Sequence, residues 1–378
     1  MRIVFLIHSL LPGGAERQLV TLVRNLDPGT FAVTVVTFYA GGRLAEELSG
    51  LANVTVASAH KQGRGDVLGF LWRSWKLVRH ARPQIIHGYM FGANEMALLF
   101  GRVLRSRVVW GIRASGLQME HYGWRAGLLR RTGAWLSGCV DAVIANSQAG
   151  RDYHVGIGYP AHNVIVIPNG IDTLRYQRDP QGRQRVRQEW QVGDQEVLIG
   201  IVARIDPMKD HVTFLRAAAR LVQTEPSARF AIVGSGSAED LQRLKSMAEQ
   251  CNVSQRLVWA GARQDMSAVY SALDVATSSS AFGEGFSNSL AEAMACETIC
   301  VGTDVGDARI LIADTGEVVR PREPEALALA WERLIAATPA QRRERGRSAR
   351  ARIVDSFSVA TLVRRTTEAL LRMAPQNA

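Results

Sequence analysis

Lysines, paired cysteines and long apolar runs are what this 378-residue chain has little of. No stretch approaches the ~20 apolar residues a helix needs to cross a bilayer, so no membrane span is expected. Met1 to Leu11 is apolar, but Pro12-Gly13-Gly14 follows without a small-residue cleavage site, so no signal peptide is expected. Cys139, Cys251, Cys296 and Cys300 form no Cys-x-x-Cys pair, and no His or Cys cluster has zinc-ligand spacing. Cys296 and Cys300 stand in apolar runs and read as buried thiols, which fits a reducing compartment. Lysine is confined to Lys61, Lys76, Lys209 and Lys245, so arginine carries nearly all of the net charge of +10. That balance favours anionic partners: nucleic acid, phosphorylated ligands or an acidic lipid surface.

What is present is a repeated alternation of short apolar runs and helical periods. Arg2 to Ser9, Phe31 to Phe38, Asn53 to Ala57, Ile85 to Gly88, Arg107 to Ile112 and Ala142 to Ala145 read as buried strands. Helices are expected between them at Ala15–Leu26, Val67–His80, Asn94–Val103 and Trp124–Gly138. The alternation restarts after Pro168-Asn169-Gly170 and a polar, arginine-rich stretch from Thr173 to Gln191. Strands follow at 197–203, 229–233, 257–260, 275–278, 298–302 and 316–319, with helices at 212–222 and 238–249. The fold class is therefore α/β, with two doubly wound parallel-sheet domains. The expected division is 1–170 and 171–357, with a last helix at about 358–373 returning to the first domain. Two such domains imply a cleft onto which the carboxyl-end loops of both sheets open.

Those loops hold the chemistry. Gly13-Gly14-Ala15-Glu16 follows the first strand and opens a helix, where free amides attract anions; it fits a tight turn equally well. Arg204 leaves a buried strand and Lys209 follows beside a helix start. Two cations at one sheet edge repel unless an anion lies between them, and a diphosphate supplies one. The bland reading pairs Arg204 with Asp206. Gly234-Ser235-Gly236 is only half of a dinucleotide fingerprint and reads as a ligand-facing loop, not an NAD site. The segment from Ser278 to Ala295 is the most informative. Its Gly-rich loop, with Glu284, Gly285, Phe286, Ser287 and Asn288, leads into a helix carrying Ser289, Leu290 and Glu292. Ser289-x-x-Glu292 also fits a capping box, which would make Glu292 structural. Glu284, flanked by glycines, is left with no structural task. In the first domain, His87 closes a strand ahead of Tyr89 and Asn94.

The order and spacing of these segments resemble the retaining glycosyltransferases of family 4, which have the GT-B fold. The resemblance rests on Gly13-Gly14-Ala15-Glu16, Ala145-Asn146-Ser147, Pro168-Asn169-Gly170-Ile171-Asp172, Arg204 with Lys209, Glu284-x7-Glu292 and Asp304-Val305-Gly306. It implies that Arg204 and Lys209 bind the diphosphate of a nucleotide-sugar, that Glu284 contacts the hexose near its reacting carbon, and that Glu292 binds the ribose. The amides from Gly285 to Leu290 would hold the sugar, and Gly13 and Gly14 would lie over the phosphates. His87, Glu284, Arg204 and Lys209 are then the catalytic candidates, and Tyr89, Asn94 and Arg113 face the acceptor. Where the family often carries His-x-His, this chain reads His87-Gly88-Tyr89; either His87 covers the role or the role is dispensable. The glycine pair usual after Thr-Asp-Val is Gly306-Asp307 here.

With no Asp-x-Asp at a strand end, no metal is expected, and no cofactor either, the nucleotide-sugar being a substrate. The resemblance implies a UDP-sugar donor, a glycan or lipid-linked acceptor, and a cytoplasmic role in cell-surface polysaccharide assembly. Two basic segments with tryptophans, Phe70 to His80 and Leu128 to Trp135, fit contact with an anionic membrane or ordinary amphipathic helices. A GT-B epimerase or phosphorylase, an NAD dehydrogenase and a nucleic-acid-binding protein are the competing readings. Epimerases need their own acid–base set and phosphorylases a pyridoxal lysine, whereas Lys209 is already assigned. The dehydrogenase lacks its glycine fingerprint, and the basic residues form neither an aromatic platform nor a recognition helix.

Overall fold

The computed structural model describes residues 1–63, 65–113 and 132–373. The chain divides into two compact units: Met1–Gly170 with the closing helix Val359–Arg372, and Ile171–Ser358. In the first unit the apolar runs pair as β1 (Arg2–Ile7), β2 (Ala32–Thr37), β3 (Val54–Ser58), β4 (Ile85–Tyr89), β5 (Arg107–Ile112), β6 (Ala142–Ala145) and β7 (Val164–Val166). Their order across the sheet is β3-β2-β1-β4-β5-β6-β7, and every pairing is parallel. Parallel neighbours need crossover helices, which cover both faces and make continuous apolar runs the stable choice.

The second unit repeats the plan with β8 (Val197–Val202), β9 (Ala228–Val233), β10 (Leu257–Gly261), β11 (Val275–Ser278), β12 (Ile299–Thr303) and β13 (Glu317–Val319). Their order is β10-β9-β8-β11-β12-β13, again all parallel. In each sheet the strand order reverses once: between β1 and β4, and between β8 and β11. In open α/β sheets such switch points are where ligands bind, outside the carboxyl ends of the strands.

Several segments depart from their sequence reading. The arginine-rich stretch contains a helix, Pro180–Glu189, with Asp179 as its cap: the Asp179 carboxylate accepts from the Gly182 amide at 2.8 Å. Two of its arginines face inward, while Arg185 is exposed. Arg183 and Arg187 both reach Asp274, at 2.9 and 3.1 Å, and Asp274 also accepts the Leu198 amide at 2.8 Å. Beyond β13, the helices Pro324–Ala336 and Pro339–Phe357 precede the closing one. The closing helix sets Leu362, Ala369 and Leu370 into the first unit's core beside Leu19 and Val23. The expected helix Trp124–Gly138 and the basic segment Leu128-Leu129-Arg130-Arg131 lie outside the described residues except from residue 132 on. Cys296 and Cys300 are buried, and burial pushes the Cys296 thiol up to about 12.

Asp274 carries an expected cost. Replacing it with Ala leaves the almost fully buried Arg187 without its counter-ion, and breaking a buried pair costs about 3–5 kcal/mol. Urea denaturation followed by hydrogen exchange in the second unit should show a loss of that size for D274A. The loss should be smaller for D274N, which keeps an acceptor for the amide and the guanidinium.

Candidate functional site

The second unit's switch point gathers two loops. One follows β8. Ala203 and Ile205 bond to Val233 and Ser235, at 3.0 and 2.9 Å, so the loop is laid against the end of β9. Gly234 explains the close approach: it stands at φ +150, and a Cβ there would meet the Ala203 carbonyl oxygen at 1.9 Å. The Gly-x-Gly after β9 therefore serves backbone packing against the Ala203–Ile205 segment. Asp206 caps the short turn Pro207–Lys209 by accepting from the Met208 amide at 2.9 Å. Asp210 then caps the helix His211–Thr224 through the Thr213 amide and hydroxyl, at 3.1 and 2.6 Å.

The other loop follows β11 and is tied to the first. The Ala281 amide donates to the Met208 carbonyl at 2.8 Å, and the Ser279 hydroxyl to the Lys209 carbonyl at 2.8 Å. From the far side the loop after β12 supports it. The Asp307 amide donates to the Gly285 carbonyl at 2.8 Å. Gly306, at φ +62, allows this approach, since a Cβ there would meet the Gly285 and Glu284 carbonyl oxygens at 2.4 and 2.5 Å. The Gly306-Asp307 pair thus has its own structural reason: a glycine for the contact and an amide for the bond.

Three expectations about these loops change. Glu284 does have a partner, for the Lys209 ammonium donates to its carboxylate at 2.5 Å, with the two side chains only 16% and 11% exposed. The Ser280 hydroxyl lies 3.4 Å from the same oxygen. Lys209 and Arg204 do not share a setting: Arg204 is 74% exposed and sits 3.9 Å from Asp206, at the outer limit of an ion pair. The capping box is also absent. The helix runs Asn288–Ala295 with Ser287 as N-cap, and that side chain makes no capping bond. Ser289 is thus inside the helix, and Glu292 lies two residues beyond the position from which a capping-box side chain reaches back. Glu292 instead accepts from the Tyr270 hydroxyl at 2.8 Å. Burial, then the Glu292 charge, pushes the Tyr270 phenol well above its ordinary range. Tyr270 has no motif in the sequence and went unread; it lies 22 residues before its partner. Phe286 and Leu290 are buried, Phe286 against Phe357, so only their backbone remains for a ligand.

The first unit places its candidates differently. The Gly13 and Gly14 backbone opens the helix Gly14–Asn25 after β1, with Gly13 as an extended N-cap and Glu16 in the first turn. His87 does not close its strand: β4 continues to Tyr89, and the ring is 1% exposed between Phe5 and Tyr89. Neither ring nitrogen has a hydrogen-bond partner among the described residues. Burial first, then the Arg113 charge, holds the imidazole well below its ordinary pKa, so it is neutral. The ring packs among its neighbours in the sheet interior. Tyr89 is equally buried, with the Arg113 guanidinium 4.3 Å from its ring centre. The Asn94 amide is committed to Gly111, accepting from its N–H at 3.1 Å and donating to its carbonyl at 3.2 Å. Of the three acceptor-side candidates only Arg113 is partly exposed; it reaches Asn169 at 3.4 Å.

Known proteins resemble this chain in sequence and fold. The family described as Glycosyltransferase Family 4 matches residues 12–175, and that described as Glycosyl transferases group 1 matches residues 196–337. The D-inositol 3-phosphate glycosyltransferase of Nocardia farcinica is 30% identical over 49% of this chain and 42% of its own length. The GDP-mannose-dependent alpha-(1-6)-phosphatidylinositol monomannoside mannosyltransferase of Mycolicibacterium smegmatis is 28% identical over 65% of this chain and 66% of its own. This chain spans about half the length of the D-inositol 3-phosphate glycosyltransferases it matches. Among solved structures, Anabaena Alr3699/HepE in complex with UDP superposes with a TM-score of 0.87 at 24% identity, over 98% of this chain and 100% of that one. With one family domain on each unit, and this fold along the whole chain, the protein belongs to the GT-B glycosyltransferases.

Proposed function

We propose that this protein is a retaining, metal-independent hexosyltransferase that takes its sugar from a nucleoside-diphosphate sugar, with a UDP-sugar as the expected donor. The observation that carries the reading is the junction of the β8 and β11 loops. It sets one ammonium and one carboxylate in contact at the carboxyl edge of a parallel sheet, where this fold receives ligands. Lys209 and Arg204 take the diphosphate. Glu284 accepts from hydroxyls of the transferred sugar, and Glu292, oriented by Tyr270, accepts from the ribose diol. The amides from Gly285 to Asn288 and the helix start behind Ser287 add a positive field. No cofactor enters this scheme.

When the bond between the anomeric carbon and the phosphate oxygen breaks, negative charge grows on the leaving diphosphate. Lys209, Arg204 and the helix start stabilise it more in the transition state than in the ground state, which is what accelerates the step. The acceptor oxygen attacks from the face the phosphate leaves, and its proton passes to the departing phosphate oxygen. His87, neutral and buried, has no step in this scheme, and the acceptor-side role rests on Arg113.

The acceptor is a glycan or a lipid-linked sugar, and the lipid-linked form draws support from the surface of the first unit. The helix Val67–Ala81 buries Phe70, Ser74 and Val78 and packs Trp75 on Phe100, but leaves Leu68 and Trp72 exposed, Trp72 at 59%. Lys76 lies 4.1 Å above the Trp72 ring, and Arg79 and His80 follow in the last turn. Exposed indole and leucine beside cations match an anionic lipid surface. No helix of the described residues is long and apolar enough to cross a membrane, so the proposed attachment is peripheral.

Two measurements test these readings. Lys209→Ala should lower kcat/KM by about 2–3 kcal/mol of transition-state binding, roughly 30- to 150-fold. A screen of nucleotide-sugars by hydrolysis and thermal shift identifies the donor for that assay, and wild-type turnover in the variant would sink the phosphate role. Co-sedimentation with vesicles rich in anionic lipid should fall sharply for a Trp72→Ser, Lys76→Ser double variant. Absence of wild-type binding at low salt ends the membrane reading.

A further inference from the structure

Lys209 and Glu284 have been given separate tasks, one on the phosphate and one on the sugar, yet the structure joins them. The ammonium and the carboxylate stand 2.5 Å apart with both side chains largely out of water. The pairing is long-range, 75 residues apart in the chain, and is supported by the bond of the Ala281 amide to the Met208 carbonyl and of the Ser279 hydroxyl to the Lys209 carbonyl. A diphosphate that binds Lys209 therefore meets a cation already neutralised by a fixed anion.

On the reading given under Proposed function, we infer that Glu284 is a specificity determinant that sets the affinity for the intact nucleotide-sugar against that for the nucleoside diphosphate left after transfer. A bare diphosphate and the Glu284 carboxylate must share one ammonium. An ammonium has three donors and can touch both, but two anions then lie beside one cation in a poorly hydrated place, where like charges repel strongly. The intact donor brings its own compensation, because its sugar hydroxyls donate to the carboxylate as Lys209 turns to the phosphate. Transfer removes the sugar and those hydroxyls with it. The carboxylate then competes for Lys209 again, and the nucleoside diphosphate is weakened at the moment it becomes product. The same carboxylate thus serves two ends, recognition of the sugar and ejection of the leaving group.

Isothermal titration of the full chain with UDP, UDP-glucose, GDP and GDP-mannose tests this. Wild type is compared with Glu284→Gln, Glu284→Ala, Lys209→Gln and the Lys209→Gln, Glu284→Gln double variant. Circular dichroism checks folding, and the two Glu284 substitutions stand in for each other if one fails to fold. Removing the carboxylate charge should tighten the better nucleoside diphosphate on the order of tenfold, with no matching gain for its hexose conjugate. That gain should vanish in the double variant. Unchanged or weaker diphosphate binding in E284Q and E284A, with binding lost in K209Q, overturns the inference and leaves the phosphate role of Lys209 standing. Undiminished diphosphate binding in K209Q, or no binding of either diphosphate to wild type, overturns the phosphate assignment and the inference together.

Discussion

Parallel adjacency of β8 and β11 is the constraint on which the rest of the second unit turns. Ile199 pairs with Val275 and Ile201 with Thr277, so the two strands end at the same level. Their following loops then emerge side by side although 75 residues separate Lys209 from Glu284. Every other feature of the site adjusts to that adjacency. The β9 loop needs a glycine to lie under Ala203, the β12 loop needs one to lie against Gly285, and Ser279 spends its hydroxyl on the carbonyls of Lys209 and Asp210. An antiparallel pair would have sent one of the loops to the opposite edge. The same logic brings the carboxyl ends of β1 and β4 side by side in the first unit.

Arginine abundance takes a different meaning from this structure. The charge of +10 points outward, toward anionic partners, when read as composition. Yet many of these guanidinium groups are spent on the protein itself. Arg183 donates to the carbonyls of Ser271 and Ala272, Arg187 to those of Gly193 and Glu196, Arg350 to those of Thr173 and Tyr176, and Arg352 to that of Leu311. A planar fork of five donors fits such multiple acceptance, whereas a compact ammonium does not. The scarcity of lysine is consistent with this, and it makes the largely buried Lys209 conspicuous: a point charge that meets one carboxylate, not a set of carbonyls.

How much of this was legible follows from the range of the interactions. β5, β6 and β11 begin and end at the residues the apolar runs suggested, because a doubly covered strand declares itself by composition alone. The helix Pro339–Phe357 escaped because its run of arginines shows no apolar stripe; it is held by Gly346, Ala349, Ile353 and Phe357. The helix Pro180–Glu189 escaped for a related reason, since Asp274, which neutralises Arg183 and Arg187, lies about 90 residues away. At the site, residue identities were legible and pairings were not. A glutamate between glycines looks free on the page, and only the strand order brings a lysine to it. His87 misled in the opposite direction, for a polar residue near a strand end suggests an edge, while two further residues of β4 carry it inside.

The two glutamates of one segment show what such pairings decide. Glu292 is held by a phenol whose proton the surroundings keep in place, so its bond orients the carboxylate and leaves its charge intact. Glu284 is held by an ammonium, so its bond both orients and neutralises. On the proposed roles, Glu292 as acceptor for a ribose diol needs only a fixed position, because the ribose is the same before and after transfer. Glu284, on the proposed role beside the reacting sugar, meets two different neighbours in one cycle, a hexose and then an unmasked phosphate. A carboxylate whose counter-charge is also the phosphate's responds to that change, whereas one fixed by a neutral hydroxyl does not. The difference between the two residues thus lies in the charge of the partner each has been given, not in their spacing.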